Sequence, residues 1–174
     1  MFITIEEVIQ IQIASVADIE ALTNVEVASK SGSFPEPLDA IAIDPDIRSY
    51  RWQTYFNGES PVSAKPERIV FKALRNGKII GFIAGHLTTR HNKDAEIQNF
   101  YVLKDEQRKG IGSLLLDNLL TWLKRQGAKS LCVGIAPENP YQKFYIKYGG
   151  LHLNPHWIYW DDLDEVEQRL RIMK

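Results

Sequence analysis

Gln107-Arg108-Lys109-Gly110-Ile111-Gly112-Ser113 is the stretch that decides how this chain folds. It stands between a β-type run, Ala95 to Leu103, and a periodic apolar pattern that ends near Gln126. Two glycines thus flank one apolar residue where a strand has to become a helix. The start of a helix leaves several backbone N–H groups without an intrahelical acceptor, and the helix dipole adds partial positive charge there. Together these effects make a seat for a phosphate group. A side chain at Gly110 or Gly112 would hold an anion away from the amides, while Arg108 and Lys109 bring charge to the rim.

Downstream, Ile111, Leu115, Leu119 and Trp122 mark one helical face, widened by Leu114 and Leu123. Lys124 and Arg125 suit the negative end of the dipole, and Gly127 suits a left-handed cap. Leu131 to Ala136 reads as a short apolar strand, so strand, helix and strand predict a parallel pair joined by a right-handed crossover. Pro137-Glu138-Asn139-Pro140 opens the next helix, with Pro140 in its first turn and Phe144, Tyr145 and Tyr148 on its apolar side. Gly149-Gly150 ends it. Ile158 to Trp160 reads as the last strand, and Asp161 to Lys174 as a helix with Leu163, Val166 and Leu170 inside.

Upstream, Glu96 to Leu103 is the third strand of an antiparallel meander, after Arg68–Leu74 and Ile79–Thr88. Asn76-Gly77 supplies the two-residue hairpin turn. Gly81 and Gly85, inside a strand, each predict a bulge or a close neighbour. Nearer the N-terminus, Gln10 to Ala14 alternates as a strand and Ser15 can cap a helix from Val16 to Lys30. Residues 35 to 45 read as an irregular loop, and Asp46 to Phe56 as a second helix carrying Tyr50, Trp52, Tyr55 and Phe56. These two helices are expected to border a substrate site.

The 174 residues make one domain, 1–174, with 44% apolar and 25% charged residues, the balance of an ordinary globular protein. The formal charge of −1, from 21 basic and 22 acidic residues, argues against nucleic acid as a partner. No apolar run approaches the roughly 20 residues of a membrane span. The start, Met1-Phe2-Ile3-Thr4-Ile5-Glu6-Glu7, has no signal-like pattern, which sets the expectation of a cytoplasmic chain. Cys132 is the single cysteine, so no internal disulfide can form.

The pattern Q-x-x-G-x-G at Gln107–Gly112, strand before and helix after, resembles the coenzyme A loop of the GCN5-related N-acetyltransferase (GNAT) family. The order hairpin, strand, glycine loop, helix, strand, helix is similar to that family's core. Glu138-Asn139-Pro140-Tyr141-Gln142-Lys143-Phe144-Tyr145-Ile146-Lys147-Tyr148-Gly149-Gly150 looks like its second signature, an asparagine followed by an aromatic-tyrosine pair and a glycine. Asn139 lies one residue nearer the tyrosine than is usual, and Gly149-Gly150 stands where Gly-Phe is common. The resemblance implies an α/β fold: a mixed sheet with an antiparallel N-terminal meander, a parallel βαβ crossover, and helices on both faces.

The same resemblance implies an N-acetyltransferase that moves an acetyl group from acetyl-CoA to an amine by direct attack in a ternary complex. Its cofactor is acetyl-CoA as co-substrate, with no metal. The amides of Gln107, Arg108, Lys109, Gly110, Ile111, Gly112 and Ser113 would hold the pyrophosphate, and the strand edge at Val102 and Leu103 would pair with the pantetheine arm. The Val102 N–H would polarise the thioester carbonyl. Glu96 is the candidate base, taking the amine proton directly or through water. Tyr145 is the candidate acid for the departing thiolate. Asn139 is expected to meet the pantetheine and Lys147 the phosphates. Gln98, two residues beyond Glu96 and expected on its side of the strand, would position the acceptor with Trp52. The acceptor would be a small-molecule or peptide amine. The family often dimerises, and the last strand offers an edge for a homodimer.

Rival chemistries fit less well. A P-loop needs a Lys-Ser/Thr pair after Gly112, and a dinucleotide site needs a third glycine after a parallel strand. Asn154-Pro155 keeps His152 and His156 off a shared helix, against a zinc pair. Cys132 lies inside an apolar strand, where thiols are inert. A coenzyme A binder without catalysis would keep the glycine loop and need neither Glu96 nor Tyr145.

Overall fold

A computed structural model describes residues 8–33 and 40–173. Of the loop expected over 35–45, residues 35–39 lie outside this range. The remainder forms a short helix, α2 (Ala40–Ile43), and the start of α3 (Pro45–Phe56). Asp44 caps α3 by accepting the N–H groups of Asp46 (2.9 Å) and Ile47 (3.1 Å), with Pro45 at the first helical position. Ser15 likewise caps a single 3-10 turn that leads into α1 (Ile19–Ser33).

Among the described residues seven strands form one sheet in the order β1-β2-β3-β4-β5-β7-β6: β1 (Gln10–Ile13), β2 (Ala64–Arg75), β3 (Lys78–Thr88), β4 (Ala95–Val102), β5 (Leu131–Gly134), β6 (Leu151–Asn154) and β7 (Trp157–Trp160). Strands β1 to β4 are the expected antiparallel meander, and β4 and β5 are the parallel pair. Between them runs α4 (Ile111–Arg125). The mixed sheet with helices on both faces is the fold class that the sequence implied.

Two departures are local. A strand not anticipated, β6, pairs with β7 at the sheet's edge, and all four of its residues are exposed. The helix expected from Pro140 starts later, as α5 (Gln142–Lys147). Asn139 stops it from starting earlier: its Oδ1 accepts the Tyr141 N–H at 2.8 Å, and Gln142 N–H reaches Asn139 O at 3.3 Å. Pro140 therefore sits in a turn ahead of the helix.

The sheet is covered on both faces. On one side α4 buries Ile111, Leu115, Leu116, Leu119, Leu120 and Leu123 against Ile83, Ile97, Leu131 and Ile158. The helix α6 (Leu163–Ile172) closes this layer with Leu163, Val166 and Leu170. Each such side chain contributes about 1.5–3 kcal/mol on burial. Gly85 is where α4 meets the sheet: a Cβ there would lie 2.8 Å from Leu119 Cδ1. On the other face, Leu22 and Val25 of α1 and Trp52 and Tyr55 of α3 pack on Val70, Phe82 and Ala84.

What positions the site is a split in the sheet. Strands β4 and β5 pair only from Ala95–Leu131 to Ile97–Val133. Beyond Ile97, β4 runs on to Val102 with no partner on that side among the described residues. The split begins at a β-bulge: Ala84 faces Asn99 and Gly85 faces Ile97, so Gln98 is an extra residue. A bulge bends its strand and breaks the alternation of faces.

Candidate active site

The loop that ends the split strand leaves a set of helix-start amides open. Gly110 caps α4 with φ +83°, a conformation that favours glycine, and a Cβ there would meet nothing within 4 Å. The first helical acceptor is Gly110 O, taken by Leu114 N–H at 3.1 Å. The amides of Ile111, Gly112 and Ser113 are therefore left over at the positive end of a 15-residue helix. Arg108, also left-handed at φ +62°, and Lys109 are exposed beside them. A Cβ on Gly112 would stand in ordinary contact with Phe144 Cε2 (3.4 Å) and Phe100 Cζ (3.5 Å), so the space beside this glycine is bordered by aromatic side chains of α5 and β4.

Along the split, the free ladder positions alternate. Leu103 N–H donates to Ile80 O at 2.9 Å and Leu103 O accepts from Glu106 N–H at 2.9 Å. Both main-chain groups of Leu103 already have a protein partner, so a pairing of Leu103 with pantetheine would use the second lone pair of its carbonyl. By the alternation of an antiparallel ladder, Phe100 and Val102 turn their main-chain groups into the split. Gln107 confirms this direction, since its Nε2 donates to Val102 O at 2.9 Å. The same side chain accepts the Tyr141 hydroxyl at 3.1 Å. Gln107 is thus a strut from β4 to the turn before α5, while its own N–H goes back to Lys104 O at 3.3 Å.

Tyr145 borders the split from α5. Its ring packs among Phe100, Phe144 and Trp160, and its hydroxyl has no hydrogen-bond partner among the described residues. Burial raises its pKa well above the usual tyrosine range, so it remains a neutral O–H donor. Ser113 Oγ and Tyr148 OH lie 2.7 Å apart, and the exposed Lys147 stands over the Tyr148 ring. Asn139 spends its Oδ1 on the Tyr141 turn and keeps its amide nitrogen to donate.

A cavity of about 260 Å³ opens on the α1/α3 side of the bulge, lined by Glu26, Arg48, Arg51, Trp52, Tyr55, Ser60, Pro61, Gln98 and Asn99. Trp52 and Gln98, the two residues expected to position the acceptor, both line it. The bulge brings both Gln98 and Asn99 to the cavity, and it separates them from Glu96, which does not line it. Glu96 is buried and faces His86, its register partner on β3. His86 Nε2 lies 3.1 Å from Glu96 Oε2, and His86 Nδ1 lies 3.0 Å from the Tyr55 hydroxyl. Arg90 Nε holds the same Glu96 oxygen at 3.5 Å. Glu96 therefore reaches the cavity through His86 and Tyr55.

Sequence reasoning missed Glu26, Arg48, Arg51, His86 and Asn99, and gave Tyr55 only as one of the aromatics on a helix expected to border the site. Glu26 left a signal, because it falls within the apolar stripe of α1; it is 2% exposed. His86 and Glu96 gave none, because only the register of β3 against β4 pairs them.

A split mixed sheet, with unsatisfied helix-start amides at one end and a cavity beside the split, is the architecture of an acyl-CoA-dependent acyltransferase. The sequence model described as the acetyltransferase (GNAT) family matches residues 28–149. The chain belongs to that family and is an acetyltransferase. No curated protein matches it in sequence. Among solved structures it is similar to the PaiA N-acetyltransferase of Thermoplasma acidophilum in complex with coenzyme A. That likeness has 23% identity and a TM-score of 0.71, over 87% of this chain and 97% of that one. It is similar also to the ribosomal-protein-S18-alanine N-acetyltransferase of Escherichia coli (18%, TM-score 0.62, 87% and 91% covered). A third is a GNAT family acetyltransferase of Brucella melitensis in complex with acetyl-CoA (18%, TM-score 0.61, 90% and 89%). At these identities the likeness is one of fold.

Proposed function

We propose that this chain transfers an acetyl group from acetyl-CoA to a primary amine of a small molecule or peptide, by direct attack in a ternary complex. The observation that carries this reading is the split between β4 and β5, with the open amides of Ile111–Ser113 on the helix that follows β4 and a cavity lined by Trp52, Tyr55, Gln98 and Asn99 at the bulge where the split begins. Acetyl-CoA, when bound, supplies an activated thioester.

The residues fit that group. The helix-start amides, with Arg108, Lys109 and Lys147 near them, suit its phosphates. The Val102 N–H, turned into the split, suits the carbonyl oxygen as it gains charge. Asn139 offers an amide donor beside the same path. The Tyr145 hydroxyl, neutral and without a partner among the described residues, protonates the departing sulfur. The amine's proton leaves through three groups in series. Tyr55 accepts it on oxygen as its own proton passes to His86 Nδ1, and the Nε2 proton of His86 passes to Glu96. Arg90 steadies the Glu96 carboxylate.

Thiol release from acetyl-CoA over a panel of amines tests this. Tyr145→Phe and Glu96→Gln should each lower kcat by about 10²-fold or more, with acetyl-CoA affinity by calorimetry unchanged. Tyr55→Phe, which cuts the relay and keeps the ring, should match Glu96→Gln. Full acceptor-dependent turnover in all three variants would refute these residue roles, and acetyl-CoA binding with no turnover of any amine by the parent chain would leave a coenzyme A binder.

A further inference from the structure

The charges around the acceptor cavity do not balance. Among the described residues Glu26 is its one acidic lining residue, and that carboxylate is already matched: Lys30 Nζ sits 2.7 Å from Oε2. Arg48 Nη1 lies 3.8 Å from the same oxygen, beyond hydrogen-bond range. Arg48 is 8% exposed, and its Nε has no partner among the described residues. Trp52, 3% exposed, leaves its Nε1–H unpaired too. Both side chains line the cavity. Buried donors are expensive to leave unmade, so an unpaired arginine N–H beside an unpaired indole N–H marks an acceptor atom still to come. Arg51 lines the same wall, exposed and without an acidic partner among the described residues. Behind Tyr55, Arg68 spends its guanidinium on the carbonyls of Tyr55 and Ser60, both at 2.8 Å, so its charge is also unmatched by a carboxylate.

Resting on the acyl-transfer reading above, we infer that the acceptor is an amine that carries its own carboxylate, bound by Arg48, Arg51 and the Trp52 indole N–H while its amino group lies toward Gln98 and Asn99. The planar arginine fork matches a carboxylate, and the indole adds a neutral donor. The cavity volume, about 260 Å³, lies below the roughly 300–1,000 Å³ of drug-sized pockets and suits an amino-acid-sized acceptor. The same positive field disfavours an ammonium group and so favours the free amine that attacks. A diamine is the wrong partner: its distal cation would meet Arg48 and Arg51, and Glu26 already has Lys30.

The test uses the whole chain and matched acceptors that differ only in the carboxylate: amino acids against their amides, with diamines as the opposite charge. Acetyl-CoA binding is measured first by calorimetry. The acid of each pair should show kcat/KM higher by about tenfold or more, the scale of one charge-assisted bond. Arg51→Gln, at an exposed site, should raise KM for the acids, leave kcat in place, and bring the amides level. A chain that fails to bind acetyl-CoA overturns the acyl-transfer reading and this inference with it. A chain that binds it and acetylates amides or diamines as well as acids overturns the inference alone. Where turnover is too slow to rank, affinities of the acetylated acid and acetylated amide for the CoA-bound protein are compared, and equal values overturn it.

Discussion

Gly110→Ala separates a folding role from a ligand role, and the structure sets both magnitudes. Gly110 has φ +83°, where an L side chain costs about 1–2 kcal/mol. The added methyl meets nothing within 4 Å, so no clash adds to that cost. For a chain of 174 residues, each 1 kcal/mol lowers Tm by about 2–4 °C. The effect on coenzyme A is larger. The amides of Ile111, Gly112 and Ser113 have no helical acceptor, and a hydrogen bond to a charged group is worth about 1.5–3 kcal/mol. Losing one bond raises Kd by about 10- to 100-fold. Gly112→Ala is the control. Its methyl would sit at an ordinary 3.4 Å from Phe144, and alanine favours the helix by about 1 kcal/mol. Calorimetry and thermal melts on both variants give the answer. Gly110→Ala binding within threefold of the parent, or Gly112→Ala weakening Kd more than Gly110→Ala, would refute the anion seat as described.

The remaining predictions rest on other parts of the chain. Gln107→Leu keeps the volume and cuts the strut between Val102 O and Tyr141, so KM for acetyl-CoA should rise severalfold in steady-state kinetics; an unchanged KM would count against the strut. Gly150→Ala would place a Cβ 2.7 Å from Ile158 Cγ2 and 2.9 Å from Tyr145 O, an overpacking worth about 1–3 kcal/mol that a chemical-denaturation curve would show. Cys132 is buried between β4 and β7, and burial pushes its thiol up to about 12. Below the thiol's unfolded value it is protonated in both states and costs the fold nothing. Above that value the unfolded chain ionises first, so stability falls as pH rises from about 9 toward 12. A thiol reagent at pH 8 should therefore label the native chain far more slowly than the chain in denaturant.

The sheet, the crossover and the glycine loop were legible because each rests on a local pattern. The leucine stripe of α4 has one face to bury, and Asn76-Gly77 admits few turns. Strand β6 was not legible: four exposed residues at an edge carry no periodic burial to read. The start of α5 was misplaced because Pro140 is equally at home in a first helical turn and in the turn that Asn139 builds. The Gly149-Gly150 pair, which breaks the family's usual pattern, has its reason in three dimensions, since Ile158 and Trp160 fill the space a larger residue would need. Leu103 shows the limit at the site. Its side chain gave no warning that both its main-chain groups were already taken.

The least legible part of the site hangs on one residue. Ile97 faces α4, and so do Phe100 and Val102, an odd spacing that a regular strand cannot give. Gln98 supplies the extra residue, and three consequences come together. It bends β4 away from β5 and so opens the split. It places two amide side chains, Gln98 and Asn99, on the cavity wall. It also ends the run in which Glu96 pairs with His86, so the carboxylate stays one register step behind the cavity and meets it only through His86 and Tyr55. A sequence reading that assumes unbroken alternation puts Glu96 and Gln98 side by side over the acceptor. The bulge is why Gln98 touches the cavity and Glu96 lies beneath it, linked to the cavity wall through His86 and Tyr55 of α3.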